Sequence, residues 1–315
     1  MPSQPFEFLA YRLNRVEEPA LLQGAFSHNL ATDEDIVSVL KAATASDFDV
    51  TRRARTAVYR WSLRDFDLYD GAADNTALVA VVDLARSTLV KDGRIVTDNG
   101  IVEGDSQSEP PLASVMRMVF YLKRHLVAVE YNSQLMVSTA WLDIFSEMIS
   151  KAASVKGYGS WFELEPIPTE SEVINAFKSF EKLTRLRVHL RLPNPDLSRY
   201  TRHLYEELRD GGIRDYVQDM RSFSGLSQDE AQLPFASAAM AQGGYKKGEV
   251  RMEGISAGKF RKVTTGKQAA RGTIDALRDF VRGIRISVRT REATEVVAAI
   301  ERELRRIAPV EREGD

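Results

Sequence analysis

The spacing of apolar positions changes repeatedly along the chain between the period of strands and that of helices. Residues 184–192 alternate strictly between apolar and polar side chains, as a strand with one buried face requires. Residues 139–153 instead carry Leu142, Phe145 and Ile149 three or four positions apart, which places them on one face of a helix. The pattern therefore predicts strands and helices interleaved along the chain.

The same reading applied to the whole chain predicts further elements. Strands are predicted at residues 6–13, 56–63, 77–83, 125–131, 161–167, 215–221, 249–255, 259–265 and 284–288. Helices are predicted at residues 112–123, 169–180, 229–241 and 292–306. Thr169 and Glu172 have the spacing of a capping box, which opens the second of these helices. Together the elements predict an α+β fold with mixed or antiparallel sheets, packed helices and two lobes.

Charge is distributed unevenly, although the whole chain has a net charge of only −2. Residues 1–177 carry 16 basic and 25 acidic side chains, whereas residues 178–315 carry 27 and 20. The glycine-containing stretch 156–159 marks a domain boundary, giving an acidic α+β domain at 1–157 and a basic α+β domain at 158–315. A basic surface attracts polyanions, so the second domain is predicted to bind nucleic acid.

Composition excludes several chemistries. The chain has no cysteine, which removes disulfides, thiolate metal sites and cysteine nucleophiles and fits a reducing cytoplasm. No apolar stretch approaches the ~20 residues that span a bilayer, so no direct membrane insertion is expected. The four histidines lack metal-ligand spacing, and neither a phosphate-binding loop nor a serine nucleophile motif is present. No cofactor and no resident metal are predicted.

The strand at residues 184–192 is the first candidate for function. Its polar face carries Arg185, Arg187, His189 and Arg191, with arginines ~7 Å apart at alternate positions. Guanidinium groups bind phosphate oxygens well, so this face is predicted to contact a nucleic-acid backbone. The alternative is an ordinary half-buried strand whose arginines pair with acids on a neighbouring strand.

A glycine-broken basic stretch at residues 244–272 is the second candidate. Glycine-rich hairpins let the backbone approach phosphates while Lys and Arg neutralise charge. Tyr245 and Phe260 would stack on unpaired bases. The predicted phosphate-contacting side chains are Lys246, Lys247, Arg251, Lys259, Arg261, Lys262, Lys267 and Arg271. A solvated, mobile hairpin without a ligand is the alternative interpretation.

Carboxylates near strand ends offer a different function. Asp65, Asp67, Asp83 and Glu130 are the candidate ligands of a magnesium-dependent nuclease, because Mg²⁺ prefers oxygen donors. Glu130 is followed by Tyr-Asn rather than by the lysine of a restriction-type nuclease core. Strand-end acids more often serve in turns and caps, and the chain is expected to be a binder rather than an enzyme.

Several stretches of the chain resemble a known group. FEFLAYRLN near the start, and LRVHLRLPNPD, LYEEL, FSGLS and GGYKKGEVRMEG in the second half, resemble RexA-type phage-exclusion proteins and related uncharacterised bacterial phage-defence proteins. The resemblance implies a homodimeric α+β protein that binds DNA without sequence specificity. It assigns phosphate contacts to Arg185, Arg187 and Arg191 and to the basic stretch 246–271.

The resulting expectation is a cytoplasmic homodimer that binds nucleic acid, DNA in the first place, and acts in anti-phage defence. Two alternatives remain open. The protein is a Mg-dependent nuclease toxin, or it is the subunit of a defence complex whose basic face binds an acidic protein.

Overall fold

The computed structural model describes residues 4–17, 32–69, 78–98, 100–107, 109–191, 202–213 and 215–309. These residues form an α+β fold with antiparallel sheets, as predicted. The strands are β1 (Pro5–Glu17), β2 (Val50–Ala54), β3 (Ala57–Tyr69), β4 (Val79–Thr97), β5 (Gly100–Gln107), β6 (Ala113–Tyr121), β7 (Leu126–Glu130), β8 (Ser160–Pro166), β9 (Lys182–Arg191), β10 (Asp215–Arg221), β11 (Val250–Ser256), β12 (Lys259–Thr265) and β13 (Arg271–Leu277). The helices are α1 (Asp33–Ala42), α2 (Ala140–Val155), α3 (Glu172–Lys178), α4 (Arg202–Asp210), α5 (Leu233–Gln242), α6 (Arg278–Gly283) and α7 (Arg291–Ile307).

The larger lobe is built on a nine-stranded sheet. Its strand order is β13-β1-β7-β6-β4-β3-β2, with β5 paired to β4 and β8 paired to β1. Helices α1 and α2 cover one face, and α6 and α7 cover the other. Successive residues of a strand point to opposite faces, so Phe120 packs in the first core and Tyr121 in the second. The central strands of this sheet, such as β6 and β7, are therefore buried on both sides.

The smaller lobe has a four-stranded sheet in the order β10-β9-β11-β12. Helices α3, α4 and α5 pack on one face around Leu186, Val188 and Met252. No described helix packs on the opposite face, where side chains of the four strands meet solvent. An antiparallel sheet tolerates this arrangement because its apolar residues can all lie on one side.

The predicted boundary at residue 157 does not coincide with the division between the sheets. Strands β8 and β13 and helix α7 all follow residue 157, yet they belong to the larger lobe. The chain thus enters the smaller lobe after β8 and returns to the larger one at β13. The division into domains 1–157 and 158–315 stays a prediction, and the basic second half contributes to both lobes.

Two element predictions are wrong. Residues 112–123 were expected to be helical, but residues 113–121 form β6, whose last six residues are all buried. A strand that is buried on both faces does not alternate between apolar and polar residues, so its sequence is a continuous apolar run. Such a run fits a buried helix as well as a buried strand. Residues 284–288 do not form a strand. Ile286 packs in the second core, and the Ser287 amide donates to Asp67 Oδ2 at 3.2 Å rather than to another strand.

Helix α3 begins differently from the prediction. Glu172 is its first residue, whereas a capping box with Thr169 as the N-cap would make Glu172 the third helical residue. The Glu172 carboxylate accepts hydrogen bonds from the Thr265 hydroxyl, from the Gly266 amide at 3.1 Å and from Thr169 Oγ1 at 3.0 Å. Burial raises the pKa of Glu172, but these hydrogen bonds outweigh it and bring the pKa below 4.5. Glu172 therefore ties the start of α3 to the end of β12.

Candidate nucleic-acid interface

Strand β9 separates its side chains as the alternation predicted. Leu186, Val188 and Leu190 are buried against the helices of the smaller lobe, whereas Arg187 is exposed on the other side. Leu192, predicted to continue the apolar face, lies outside the described residues. The sequence periodicity thus identified the correct faces of the strand.

Strand pairing brings further side chains to the exposed side of this sheet, the open face. Arg187 is flanked by Asp219 on β10 and Arg251 on β11, and Arg185 is flanked by Arg221 and Glu253. The open face comprises Arg185, Arg187, His189, Asp215, Val217, Asp219, Arg221, Arg251, Glu253, Ile255, Phe260, Lys262 and Thr264. Cations outnumber acids on this face, so it is basic.

Asp219 neutralises part of the open face. Its carboxylate accepts two hydrogen bonds of 2.7 Å from Arg185 and a third, of 2.9 Å, from Arg221. Hydrogen bonds from Arg185 and then Arg221 hold the pKa of Asp219 well below its ordinary value of 3.8. Arg185 also lies 3.4 Å from Glu253. The alternative interpretation, acids on a neighbouring strand, therefore describes Arg185 correctly.

Three cations of the open face remain accessible to a phosphate. Arg187 is exposed and forms no ion pair with any residue in the described ranges. The Arg251 side chain is 62% exposed and lies 3.9 Å from Glu249. The Lys262 side chain is 68% exposed and lies 3.4 Å from Glu253. Exposed pairs of this length contribute little, and a phosphate can compete with them.

Arg191 and Lys246 are buried and cannot contact a phosphate, contrary to the prediction. Arg191 is 2% exposed, and its NH1 donates to Glu163 Oε2 on β8 at 2.6 Å. Lys246 is 1% exposed, and its Nζ donates to the Gly248 carbonyl at 2.9 Å and lies 3.8 Å from Glu165 Oε2. Burial lowers the pKa of Lys246 and raises that of Glu165. Both cations are enclosed between the two lobes, where a nucleic acid cannot reach them.

The hairpin of β11 and β12 turns at Ala257 and Gly258, both of which have positive φ. This is the backbone of a type I′ turn, which suits the twist of the strands. The register places Arg261 opposite Gly254 and Lys259 opposite Ser256, on the helix side of the sheet but exposed. These two cations therefore flank the open face at its edge strand rather than lie on it.

The predicted stacking residues have different positions. Phe260 is 60% exposed on the open face. Tyr245 is buried, with the Arg12 guanidinium 4.5 Å from its ring centroid, so the prediction for Tyr245 is wrong. Phe223, just after β10, is fully exposed and was missed by the sequence analysis. Arg221 was also missed, although the alternation of Asp215, Val217, Asp219 and Arg221 could have indicated it.

The rest of the predicted basic stretch lies elsewhere. Lys247 and Lys267 line a separate cleft of about 500 Å³ beside α2 and β8, and Lys267 Nζ is 3.5 Å from Glu249. Arg271 lies on β13 of the larger lobe, 4.3 Å from the Tyr131 ring and 3.4 Å from Glu7. A basic stretch that is continuous in sequence is therefore divided among several separate parts of the structure.

The carboxylates of the nuclease alternative are occupied by other contacts. Asp83 accepts hydrogen bonds from Arg117 at 2.9 and 3.0 Å, and the buried Glu130 accepts one from Arg282 at 3.0 Å. Asp65 is exposed and lies 3.9 Å from Arg285, while Asp67 accepts from the Ser287 amide. Within the described ranges, no three acids or histidines come together as metal ligands.

Residues 97–276 match the family described as Domain of unknown function (DUF4747), and the chain belongs to this family. The matched stretch runs from the end of β4 into β13 and contains the whole four-stranded sheet. No curated protein matches the chain. Among the helices of the described residues, none has the length and apolar character needed to cross a membrane.

Proposed function

We propose that this member of the family binds nucleic acid, DNA in the first place, through the open face of its four-stranded sheet. The observation that supports the proposal most is the cluster of Arg187, Arg251 and Lys262, three accessible cations on three adjacent strands. Neighbouring strands lie ~4.8 Å apart, so one segment of phosphate backbone can contact all three. Lys259 and Arg261 extend the positive surface at the edge.

The contacts are sequence-nonspecific. Lys and Arg that bind phosphates set the orientation of a nucleic acid but carry no information about its bases. The exposed rings of Phe260 and Phe223 suit stacking on unpaired bases, which tolerates any sequence. Single strands are therefore expected to bind at least as well as duplexes.

The cellular setting of the proposal comes from the resemblance to phage-exclusion proteins. It supports action in anti-phage defence, in the cytoplasm and as a homodimer. The nuclease alternative gains no support from the site, because Asp83 and Glu130 are bound to arginines. The protein-partner alternative predicts that an acidic protein, rather than nucleic acid, occupies the open face.

The test is a binding titration of the full chain with labelled duplex DNA, single-stranded DNA and RNA across a salt series. The variant Arg187→Glu/Arg251→Glu/Lys262→Glu should reduce affinity by roughly tenfold to a hundredfold and lower the slope of log K against log salt by about 2 to 3. Integrity of the nucleic acid, checked with Mg²⁺ present, separates binding from cleavage.

Arg53→Glu/Arg55→Glu/Arg94→Glu is the matched control, since it reverses three exposed cations on the larger lobe. It changes the net charge equally and should reduce affinity much less. Equal losses in the two variants would show that binding depends on net charge rather than on the open face. Absence of binding at low salt would overturn the proposal and favour a protein partner.

A further inference from the structure

A second basic site lies in the larger lobe, away from the four-stranded sheet. A cavity of about 730 Å³ opens between the start of β1, the start of β6, the segment after β7 and helix α6. Its lining is polar and includes Glu7, Ser114, Tyr131, Asn132, Arg278 and Arg282. The volume is within the range of small-molecule sites, and the lining suits a polar ligand rather than an apolar one.

The two arginines of α6 give the cavity an excess of positive charge. Arg278 and Arg282 are four residues apart, on the same side of the helix. Both contact the fully buried Glu130: Arg278 Nε lies 3.3 Å and Arg282 NH2 lies 2.7 Å from its Oε1. One carboxylate thus faces two guanidinium groups. Glu7, the acid that lines the cavity itself, already pairs with Arg271 at 3.4 Å.

Arg278 is the side chain with unused donors. Arg282 is fixed by Glu130 and by the Val115 carbonyl, to which its NH2 donates at 2.9 Å. Arg278 Nε is buried but forms no hydrogen bond of good geometry with any described residue. Its side chain is 31% exposed, so its guanidinium reaches the cavity.

The position of α6 is itself fixed by a buried arginine. Arg117 is paired with Asp83, and its NH1 donates to the carbonyl of Val281 at 2.6 Å and to that of Ile284 at 3.3 Å. These bonds attach the end of α6 to the large sheet. The two cavity arginines are therefore presented by a rigid support, as a binding site requires.

Neutral polar groups complete the wall. Ser114 Oγ donates to Gln134 Oε1 at 2.6 Å, and Asn132 Nδ2 donates to the Val115 carbonyl at 2.9 Å. Arginine forks bind the oxygens of a phosphate, while hydroxyl and amide groups bind a polar body attached to it.

We propose that this cavity binds a phosphate ester of mononucleotide size, with the phosphate on Arg278 and Arg282. The phosphate belongs either to a free nucleotide or to the 5′ end of a nucleic-acid strand. The site is independent of the open face and does not rest on the nucleic-acid binding proposed for it.

The experiment is a calorimetric titration of the full chain with adenosine 5′-monophosphate, inorganic phosphate and adenosine. Saturable binding of the monophosphate, weaker binding of phosphate and much weaker binding of adenosine are expected. Arg278→Gln should lower the affinity for the monophosphate by roughly tenfold or more, because it removes a charge-assisted contact. It leaves Arg282 to neutralise Glu130, so the buried carboxylate keeps a partner.

Arg285→Gln is the matched control, since Arg285 follows α6 and does not line the cavity. Ser133→Trp fills the cavity from an exposed position without changing its charge and should also abolish binding. No saturation at about 10 mM monophosphate, equal binding of adenosine, or unchanged binding in both Arg278→Gln and Ser133→Trp would overturn the proposal.

Oligonucleotides with and without a 5′-phosphate distinguish the two sources of the phosphate. They are compared in the Arg187→Glu/Arg251→Glu/Lys262→Glu background, which removes the open-face contribution. If the 5′-phosphorylated strand binds more tightly than both the unphosphorylated strand and the free monophosphate, the ligand is a strand end. If the free monophosphate binds more tightly than the 5′-phosphorylated strand, the ligand is the free nucleotide. Failure of open-face binding leaves both readouts intact.

Discussion

Arg191 on β9 and Glu163 on β8 form an ion pair that joins the two lobes, with 2.6 Å between NH1 and Oε2. The guanidinium is almost fully buried, and Glu163 also accepts from Ser146 Oγ at 3.3 Å. Arg12 and Asn14 of β1 reinforce the same junction by donating to the carbonyls of Gly243 and Gly244 at 2.9 Å. Alternation predicts that Arg191 lies on a binding face, but its role is to hold the two lobes together.

Replacing Arg191 should affect stability rather than binding. Arg191→Met leaves Glu163 without its main partner, and the free energy of unfolding should fall by about 2 kcal/mol, less than for a fully buried pair because Glu163 reaches solvent. Urea denaturation measures this. Arg187→Met is the control: it should change stability by less than ~0.5 kcal/mol but weaken nucleic-acid binding. The opposite pattern of effects would contradict a structural role for Arg191 and a binding role for Arg187.

Removing Asp219 should strengthen nucleic-acid binding. Asp219→Ala releases Arg185 and Arg221, which then become available to phosphates. Affinity at low salt should rise several-fold, and its dependence on salt should steepen by about 1 to 2 in log–log slope. Glu230→Ala removes an equal charge from an exposed pair with Lys178 and serves as the control. Equal gains in both variants would mean that only net charge matters.

The contribution of Glu172 should depend on pH. Its folded-state pKa lies below 4.5, so its hydrogen bonds stabilise the fold fully above pH 4.5 and are lost as the pH falls through the folded-state pKa. The difference in unfolding free energy between wild type and Glu172→Gln should be constant near neutral pH and shrink below pH 4.5. Urea titrations at a series of pH values test this. A difference that stays constant into acid would refute the role of the carboxylate charge.

Gly254 is required because the backbones of β11 and β9 pack closely at this position, and not because a ligand approaches it. A Cβ at this position would lie 2.2 Å from the Lys182 carbonyl oxygen and 3.0 Å from the Leu183 Cα. Because both contacts are backbone, Gly254→Ala should cost about 2 to 3 kcal/mol of unfolding free energy by separating β11 from β9. Gly93→Ala, with no atom within 4 Å, should be near neutral. Similar unfolding midpoints for the two variants would exclude this explanation.

The candidate site was only partly predictable. Alternation identified the faces of β9, and the charge of residues 244–272 indicated a basic hairpin. Sequence could not show that Asp219, 34 residues after Arg185, comes to lie diagonally across from it on the neighbouring strand and neutralises it. Nor could it show that Tyr245 is buried beneath Arg12, which is 4.5 Å away in space but far away in the chain.

The sequence by itself determined the α+β class, most strands and helices, and the inward and outward faces of β9, because side-chain periodicity follows from backbone geometry alone. Tertiary structure alone decided which cations are accessible. That property depends on sheet register and on the contact between lobes, which bury Arg191 and Lys246 against acids of β8 and leave Arg187 in solvent. The local sequence does not show which distant residues will pair with a strand. Two arginines of the same strand, Arg187 and Arg191, therefore have different roles.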